Sequence, residues 1–230
     1  DYSGECPSNA QLIDGNCAHM DGTNDHVEVA DHADFDNITC LTLFIRGQND
    51  NSNTVGQHFF GKYDYGANKR EFLMQVDANE KFVVNFGDPA DGTLESTTAS
   101  NATVSIDEEH SYGRAYAAGV LKLYLDGIEV ATTNISGAPP ASLFNSDAPV
   151  TIGCSLNNGS DTFNWDGKLW DARVFKGDSS VLTPAQMLQL HNNEAESFAG
   201  QTNVFWLPMA ECAGDIHYDV SGNGHHGSIN

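Results

Sequence analysis

The sequence predicts an all-β protein, a two-sheet antiparallel sandwich with one short helix. Three observations carry this expectation. Short runs of alternating apolar and polar residues recur along the whole chain, divided by Gly, Asn, Asp and Pro. One hairpin is spelled out completely, with Asp126-Gly127 between two apolar runs. Only one segment carries the chemistry of a helix start. The 230 residues show no repeat, no low-complexity tract and no linker, and 40% are hydrophobic, so a single domain over 1–230 is expected.

Taken in order, Val27 and Val29 alternate with polar neighbours and form the first strand. In 40–46, Leu41, Leu43 and Ile45 share one face and Thr42 and Phe44 the other, which places the run deep in a sheet. Phe72, Met74 and Val76 repeat the pattern, as do Phe82, Val84 and Phe86, with 77–80 as the hairpin turn between them. Leu121, Leu123 and Leu125 lead into Asp126-Gly127, a pair that accepts the positive φ angles of a type I′ turn, and Ile128 and Val130 return. Val150 and Ile152 form a further strand, closed by Gly153. Strict alternation in 168–175 puts Leu169, Asp171, Arg173 and Phe175 on one side and Trp170, Ala172 and Val174 on the other. The helix starts at Thr183-Pro184-Ala185-Gln186, where a capping hydroxyl, proline at the first helical position and glutamine three residues after the cap coincide. Met187, Leu190 and His191 follow at helical spacing, and the helix should end by Asn193.

Thirty-two acidic residues against ten basic ones give a formal charge of −22. Such a surface repels phosphate backbones and anionic bilayers, so nucleic acid is not expected as a partner. No run approaches the roughly 20 apolar residues of a membrane helix, so membrane insertion is not expected either. The chain begins at Asp1, which suggests processing or a fragment boundary. None of Cys6, Cys17, Cys40, Cys154 and Cys212 lies in a CxxC pair, which disfavours zinc ribbons and favours disulfides in an oxidising compartment. Cys6 and Cys17 bracket a polar stretch that cannot order itself by burial, and a bridge between them would make residues 1–19 a disulfide-looped N-terminal extension. The pairing of Cys40, Cys154 and Cys212 is not readable, and one of the five must stay free or bond another chain.

Five motifs resemble one family in its own order. Met20-Asp21-Gly22-Thr23-Asn24-Asp25-His26-Val27-Glu28-Val29 is similar to the opening "FDGxxDYVEV" of laminin-G-like, concanavalin-like domains, with His26 where an aromatic is usual. Residues 121–130 resemble its "LKLYVDGxxV" hairpin, Val150-Thr151-Ile152-Gly153 its "LTIG" strand, 165–175 its "FNGxIDEVRIY", and 183–186 its "LSxxEI". The resemblance implies a concanavalin-like jelly roll. It departs at one place. The family's usual first segment, similar to Phe205-Trp206-Leu207-Pro208-Met209-Ala210-Glu211 and to 218–229, stands last here, as in virion structural proteins that carry this domain. The segment 204–230 would complete the sandwich in cis, as in a circular permutant, or in trans by strand donation to another copy.

The sequence offers several candidate sites. Calcium is the expected cofactor: Asp219 and Asn223 can present oxygens within one turn, and the resemblance places them near Asp171, Asp21 and Asp25. Asp219 and Asn223 can equally serve only to shape their turn. His225 and His226 are adjacent, so in a strand their rings point apart and do not jointly chelate an ion. The resemblance makes His226 a buried, hydrogen-bonded side chain. Sugar contact is assigned to Tyr63, Tyr65 and Asn68 in the loop 62–69 and to Asn158 and Trp165, because rings stack on sugar faces while amides read hydroxyls; Trp165 and Trp170 fit the core more readily than a platform. Asn37, Asn101, Asn134 and Asn158 begin glycosylation sequons.

Hydrolysis is disfavoured. The Glu-x-Asp-x-Glu or Glu-x-Asp-x-x-Glu run of the family's glucanases is absent, and Glu194-Ala-Glu196 and Asp34-Phe-Asp36 lie outside strands. Val220-Ser221-Gly222 lacks the first glycine of a nucleophile elbow. The expected function is therefore non-catalytic: an extracellular or virion-surface structural module that assembles with copies of itself or with a fibre or capsid lattice. The alternative is a calcium-dependent, lectin-like module that binds glycans, and glycoside hydrolase comes last.

Overall fold

The computed structural model describes residues 17–51, 55–177, 181–211 and 215–230. Two sheets face each other, antiparallel apart from one parallel bridge between Leu156 and Asp64. Among the described residues the smaller sheet has seven strands. Its long strand Asp166–Gly177 lies against Cys40–Asn49, followed by Glu109–Ala117, Val120–Leu125 and Ile128–Val130. Two short strands share the other edge of Asp166–Gly177: Ala18–Asp21 pairs with its beginning and Gln201–Leu207 with its end. The larger sheet runs Thr132–Ser136, Leu94–Thr103, Lys81–Gly87, Lys69–Val76, Gln57–Asp64, Val150–Ile152, Val27–Val29, Gly227–Ile229 and Ile216–His217. A small hairpin, Ser155–Asn157 and Ser160–Thr162, hangs on Gln57–Asp64.

Period-two alternation explains the core. Leu41, Leu43 and Ile45 meet Phe72, Met74, Phe82, Val84 and Phe86 between the sheets. Phe44, on the opposite face of its strand, joins Ala115, Tyr124 and Phe175 beneath Met187 and Leu190 of the helix Pro184–His191. That helix begins with the expected capping box, Thr183 N–H donating to Gln186 Oε1 at 2.8 Å. Arg46 Nη2 closes its other end by donating to the Leu190 and His191 carbonyls at 2.8 and 2.7 Å, which satisfies acceptors the helix cannot pair itself. The Asp126-Gly127 hairpin has both central residues at positive φ, 52° and 74°.

The alternation expected across 168–175 is corrected at one residue. The ladder slips between Trp170 and Arg173, and Asp171 sits at φ 54°. This bulge shifts the phase, so Leu169, Ala172 and Val174 face the core while Phe175 turns to the helix side. The polar strand Leu94–Thr103 is another difference. It buries Ser96, Thr98 and Ser100, whose small side chains gave no apolar pattern to read.

The C-terminal segment enters both sheets of its own chain: Trp206 lies opposite Arg173, and Ser228 opposite Glu28. Val204, Phe205, Leu207 and Met209 are buried there. Cys40 and Cys154 are buried free thiols and Cys17 a half-buried one. The Cys6–Cys17 bridge is therefore not seen, and Cys6 and Cys212 lie outside the described residues. Among the described residues no helix is long and apolar enough to cross a membrane.

Candidate functional site

Three connections cross between the sheets at one end of the sandwich: the turn after Asp21, the link from Asn49 to Gln57, and the turn from Thr162 to Asp166. Strand register gathers them, because Asp21 lies opposite Asp166 and Asn49 opposite Gly167. Described residues in and beside these connections line an open polar cleft of about 430 Å³, among them Asp21, Asn51, Gln57, Asp161, Asn164 and Asp166.

Phe163 stands at its wall. Asn158-Gly159, at φ 51° and 80°, makes the tight turn of the small hairpin, and Phe163 just beyond is itself held at φ 54°. A bulky residue in that region is disfavoured by on the order of 1–3 kcal/mol. The fold holds it there through His58 N–H, which donates to the Phe163 carbonyl at 2.8 Å. The residue remains 39% exposed, and its ring stacks on the His58 ring, centroids 4.5 Å apart at 25°. His58 bonds Ser155 Oγ at 2.7 Å, and burial pushes its pKa down to about 3, so the lower ring of the stack is neutral.

The polar wall is rich in acceptors. Asp166 Oδ2 accepts from Asn51 Nδ2 and Asp161 Oδ2 from Asn164 Nδ2, both at 2.9 Å. Asn164 Nδ2 also donates to the Thr23 carbonyl. The Thr23 amide, 2.8 Å from Asp21 Oδ1, holds the Asp21 carboxyl below its ordinary range. Asn164 Oδ1 and Gln57 Oε1 are buried without a hydrogen bond in the protein. An exposed ring beside the Asp161 and Asp166 carboxylates, which keep acceptor sites beyond their one amide each, suits a ligand with one apolar face and several hydroxyl donors.

The sugar contacts expected from sequence divide. Trp165 is fully buried, edge-on to Phe59, and is a core residue rather than a platform. Tyr63 is 5% exposed, and burial pushes its hydroxyl up to about 12. Tyr65 is half-buried, 6.2 Å from the Phe163 ring, so it borders the aromatic wall. Asn68 and Asn158 are exposed; Asn68 Oδ1 accepts from Arg70 and the Asn158 amide donates to Asp64 Oδ1. Phe163, which the sequence reading passed over, is the exposed ring. The Asn-Gly turn five residues before it was the available signal.

The five residues expected to hold calcium do not form one shell. Asp21 and Asp25 share a turn, Asp21 N–H donating to Asp25 Oδ2 at 3.2 Å. Asp171 is five residues along the strand from Asp166, roughly 16 Å. Its carboxylate accepts from Arg173 Nε at 2.6 Å, Trp206 Nε1 at 2.8 Å and Arg46 Nε at 3.3 Å. Asp219 accepts from the Trp206, Ser221 and His225 amides and the Ser221 hydroxyl at 2.8–3.0 Å, and Asn223 Nδ2 donates to the Asn203 and Val204 carbonyls. These side chains bind the C-terminal turn to its sheet, and the carboxylate oxygens of Asp171 and Asp219 face donors that a cation would have to displace. His226 Nδ1 accepts from the Asp219 amide at 3.0 Å while its side chain is exposed, not buried. The sequon residues Asn37, Asn101, Asn134 and Asn158 are all exposed.

Comparison with known proteins bears on the fold. The sequence model of the concanavalin A-like lectin/glucanases superfamily matches residues 21–187. No curated protein sequence matches the chain. A Bacteroides ovatus protein provisionally described as carbohydrate-binding has a similar structure, with TM-score 0.67 and 14% identity; the match covers 94% of this chain and 58% of that one. The carbohydrate-binding module of a Ruminococcus gnavus sialidase, solved with α2,3-sialyllactose, gives TM-score 0.54 at 14% identity over 77% of this chain and all of the module. A heptameric pentraxin from Limulus polyphemus gives 0.53 at 15% over 75% and 80%.

Proposed function

Because the chain belongs to the concanavalin A-like lectin/glucanases superfamily, we propose that it is a carbohydrate-binding module, acting by binding rather than cleavage, with the cleft at Phe163 as its glycan site. The observation that carries this reading is the exposed Phe163 ring, held at positive φ on a neutral His58 beside the carboxylates of Asp161 and Asp166. Similarity of fold to carbohydrate-binding modules supports it. With a binding role goes the proposal that the chain works outside the cell or on a virion surface, where glycans are met. The test is a glycan array with the wild-type chain and Phe163→Ala. Retention of at least one glycan, weakened about tenfold or more by loss of the stacking ring, is expected. No retained glycan, or equal retention by the variant, overturns the reading.

Assembly is the second reading, and one observation favours it. Thr132–Ser136, at the edge of the larger sheet, is exposed at every residue, so its outer hydrogen-bonding groups can accept a further strand. A monomer by light scattering at high protein concentration would remove this reading without touching the first.

A further inference from the structure

At the end of the sandwich opposite the cleft, the connection between Val27–Val29 and Cys40–Asn49 meets the C-terminal turn. One ring nitrogen of His32, one of His225 and a carboxylate oxygen of Asp34 lie within 4.8 Å of one another there. His225 Nε2 is 2.9 Å and His32 Nδ1 3.2 Å from the same Asp34 Oδ2. Donors on one tetrahedral ion with bonds of 2.0–2.1 Å are about 3.3 Å apart, so two of the three separations already fall within a few tenths of an ångström of that. The imidazole rings lie 4.7 Å apart and tilted by 56°, not stacked face to face.

The surroundings fit an ion with an open coordination position. His225 is 9% exposed, its ring seated on Phe35 at 5.3 Å and its amide tied to Asp219 Oδ2 at 3.0 Å, so its orientation is fixed. His32 and Asp34 are exposed and leave the fourth position to solvent. Lys176 Nζ donates to the Asp36 and Asp34 carbonyls at 3.0 and 3.4 Å; it steadies the loop backbone, and its charge works against a cation. The formal charge of −22 over the whole chain works for one. Two imidazoles and one carboxylate select zinc, copper or nickel over calcium, which prefers an all-oxygen shell.

We propose that His32, Asp34 and His225 form a binding site for a divalent transition-metal ion of the zinc class, which ties the C-terminal segment to the loop at 32–36. The ligands are 191 residues apart in sequence, so one ion closes a loop nearly as long as the chain. In the metal-free state His32 Nδ1 accepts from the Asp34 amide at 3.2 Å and caps the turn Ala33–Phe35. An ion bound through Nδ1 takes the place of that cap; one bound through Nε2 leaves it intact.

The test uses the full chain, stripped with a chelator and titrated with Zn²⁺ by calorimetry and with Co²⁺ by visible absorption. One equivalent of zinc, intense tetrahedral cobalt bands, no competition by Ca²⁺ and slower hydrogen exchange over 225–229 are expected. His32→Ala removes the cap of Ala33–Phe35 and should lower the metal-free melting temperature by a few degrees, whereas Asp34→Asn keeps an acceptor and should lower it less; both variants stay folded for the titration. Each should weaken zinc at least about tenfold, since even loss of an outer-shell partner costs 10- to 100-fold. A chain that takes up no zinc, or takes it up with unchanged affinity in both variants, overturns the proposal. This result is independent of the glycan reading.

Discussion

The most discriminating prediction concerns Asp171, where a metal ligand and a structural anchor make opposite demands. Its carboxylate lies between two guanidiniums, Arg173 with a side chain 4% exposed and Arg46 with one 13% exposed, and it also accepts from the Trp206 indole. The Arg173 guanidinium carbon lies over that indole, 3.9 Å from the ring centroid. Asp171→Ala would leave the buried Arg173 and the half-buried Arg46 without their shared carboxylate, a loss of about 3–5 kcal/mol for a broken, largely buried pair. Alanine also tolerates φ 54° less well than aspartate, which adds to the cost. Asp171→Asn keeps the shape, the tolerated backbone angle and an acceptor but not the charge, and should lose about 1–3 kcal/mol. At about 2–4 °C per kcal/mol for a chain of this size, the alanine variant should melt roughly 6–20 °C below the parent. Calorimetry in EDTA and again in millimolar calcium reads both possibilities. A melting temperature within about 2 °C of the parent in EDTA, with a loss seen only in calcium, would refute the anchor and restore Asp171 to the cation.

Other residues give sharp expectations. Burial pushes Glu71 up from 4.5 to about 7 against the pull of Lys62, so the folded chain holds this proton more tightly than the unfolded one. Its contribution to stability therefore falls as pH rises from about 4.5 to about 7. Glu71→Gln, which leaves Lys62 its contact with Asp31 at 2.9 Å, should gain up to about 3 kcal/mol on the parent between pH 5 and pH 8 in urea melts; a gain on going the other way would contradict this. A Cβ on Gly227 would meet Val27 Cγ1 at 2.4 Å and Leu207 Cδ1 at 3.0 Å. Gly227→Ala should cost about 1–3 kcal/mol and expose 215–230 to protease, and an unchanged cleavage pattern would show that the tail strand is not seated there. Cys154 is fully buried and burial raises its thiol, so iodoacetamide at pH 8 should label it only in urea. Mass spectrometry of the native protein finding it modified would count against that packing.

Much of the fold was legible because its signals are local. Asp126-Gly127, the capping box at Thr183 and the alternation of 40–46 each need only neighbours in sequence, and each appears in place. The five-motif resemblance was equally local and led to the family that matches residues 21–187. What was not legible depends on partners far along the chain. The phase slip at Asp171 is stabilised by Arg46, 125 residues away, and by Trp206, 35 residues away. Asp64 is another case: its Oδ1 accepts from the Ala67 and Asn158 amides and its Oδ2 from Gly159, so one carboxylate pins two loops that the sequence presents separately. Aromatic residues in polar stretches were misread for a related reason. Trp165 and Phe163 are two positions apart, and a positive φ at Phe163 decides that one ring reaches solvent while the other enters the core.

The distribution of the 32 acidic residues follows from the same counting of partners. An ionised carboxylate has about four acceptor sites. Asp219 has filled its four with three amides and a hydroxyl; burial pushes its carboxyl up, but the hydrogen bonds from Trp206, Ser221 and His225 together outweigh it and hold the carboxyl below the usual range. Asp171 has placed two guanidiniums and an indole on its own. A cation arriving at either would have to evict donors that already hold the C-terminal segment against the sandwich, so ligand binding there would work against folding. Asp161 and Asp166 each meet one amide in the cleft, and Asp34 meets two histidines while half its side chain faces water. These carboxylates retain unused acceptor sites at the surface, one group at each end of the sandwich. That remaining capacity, rather than the presence of aspartate in a family motif, is the physical reason to look for glycan at one end and metal at the other.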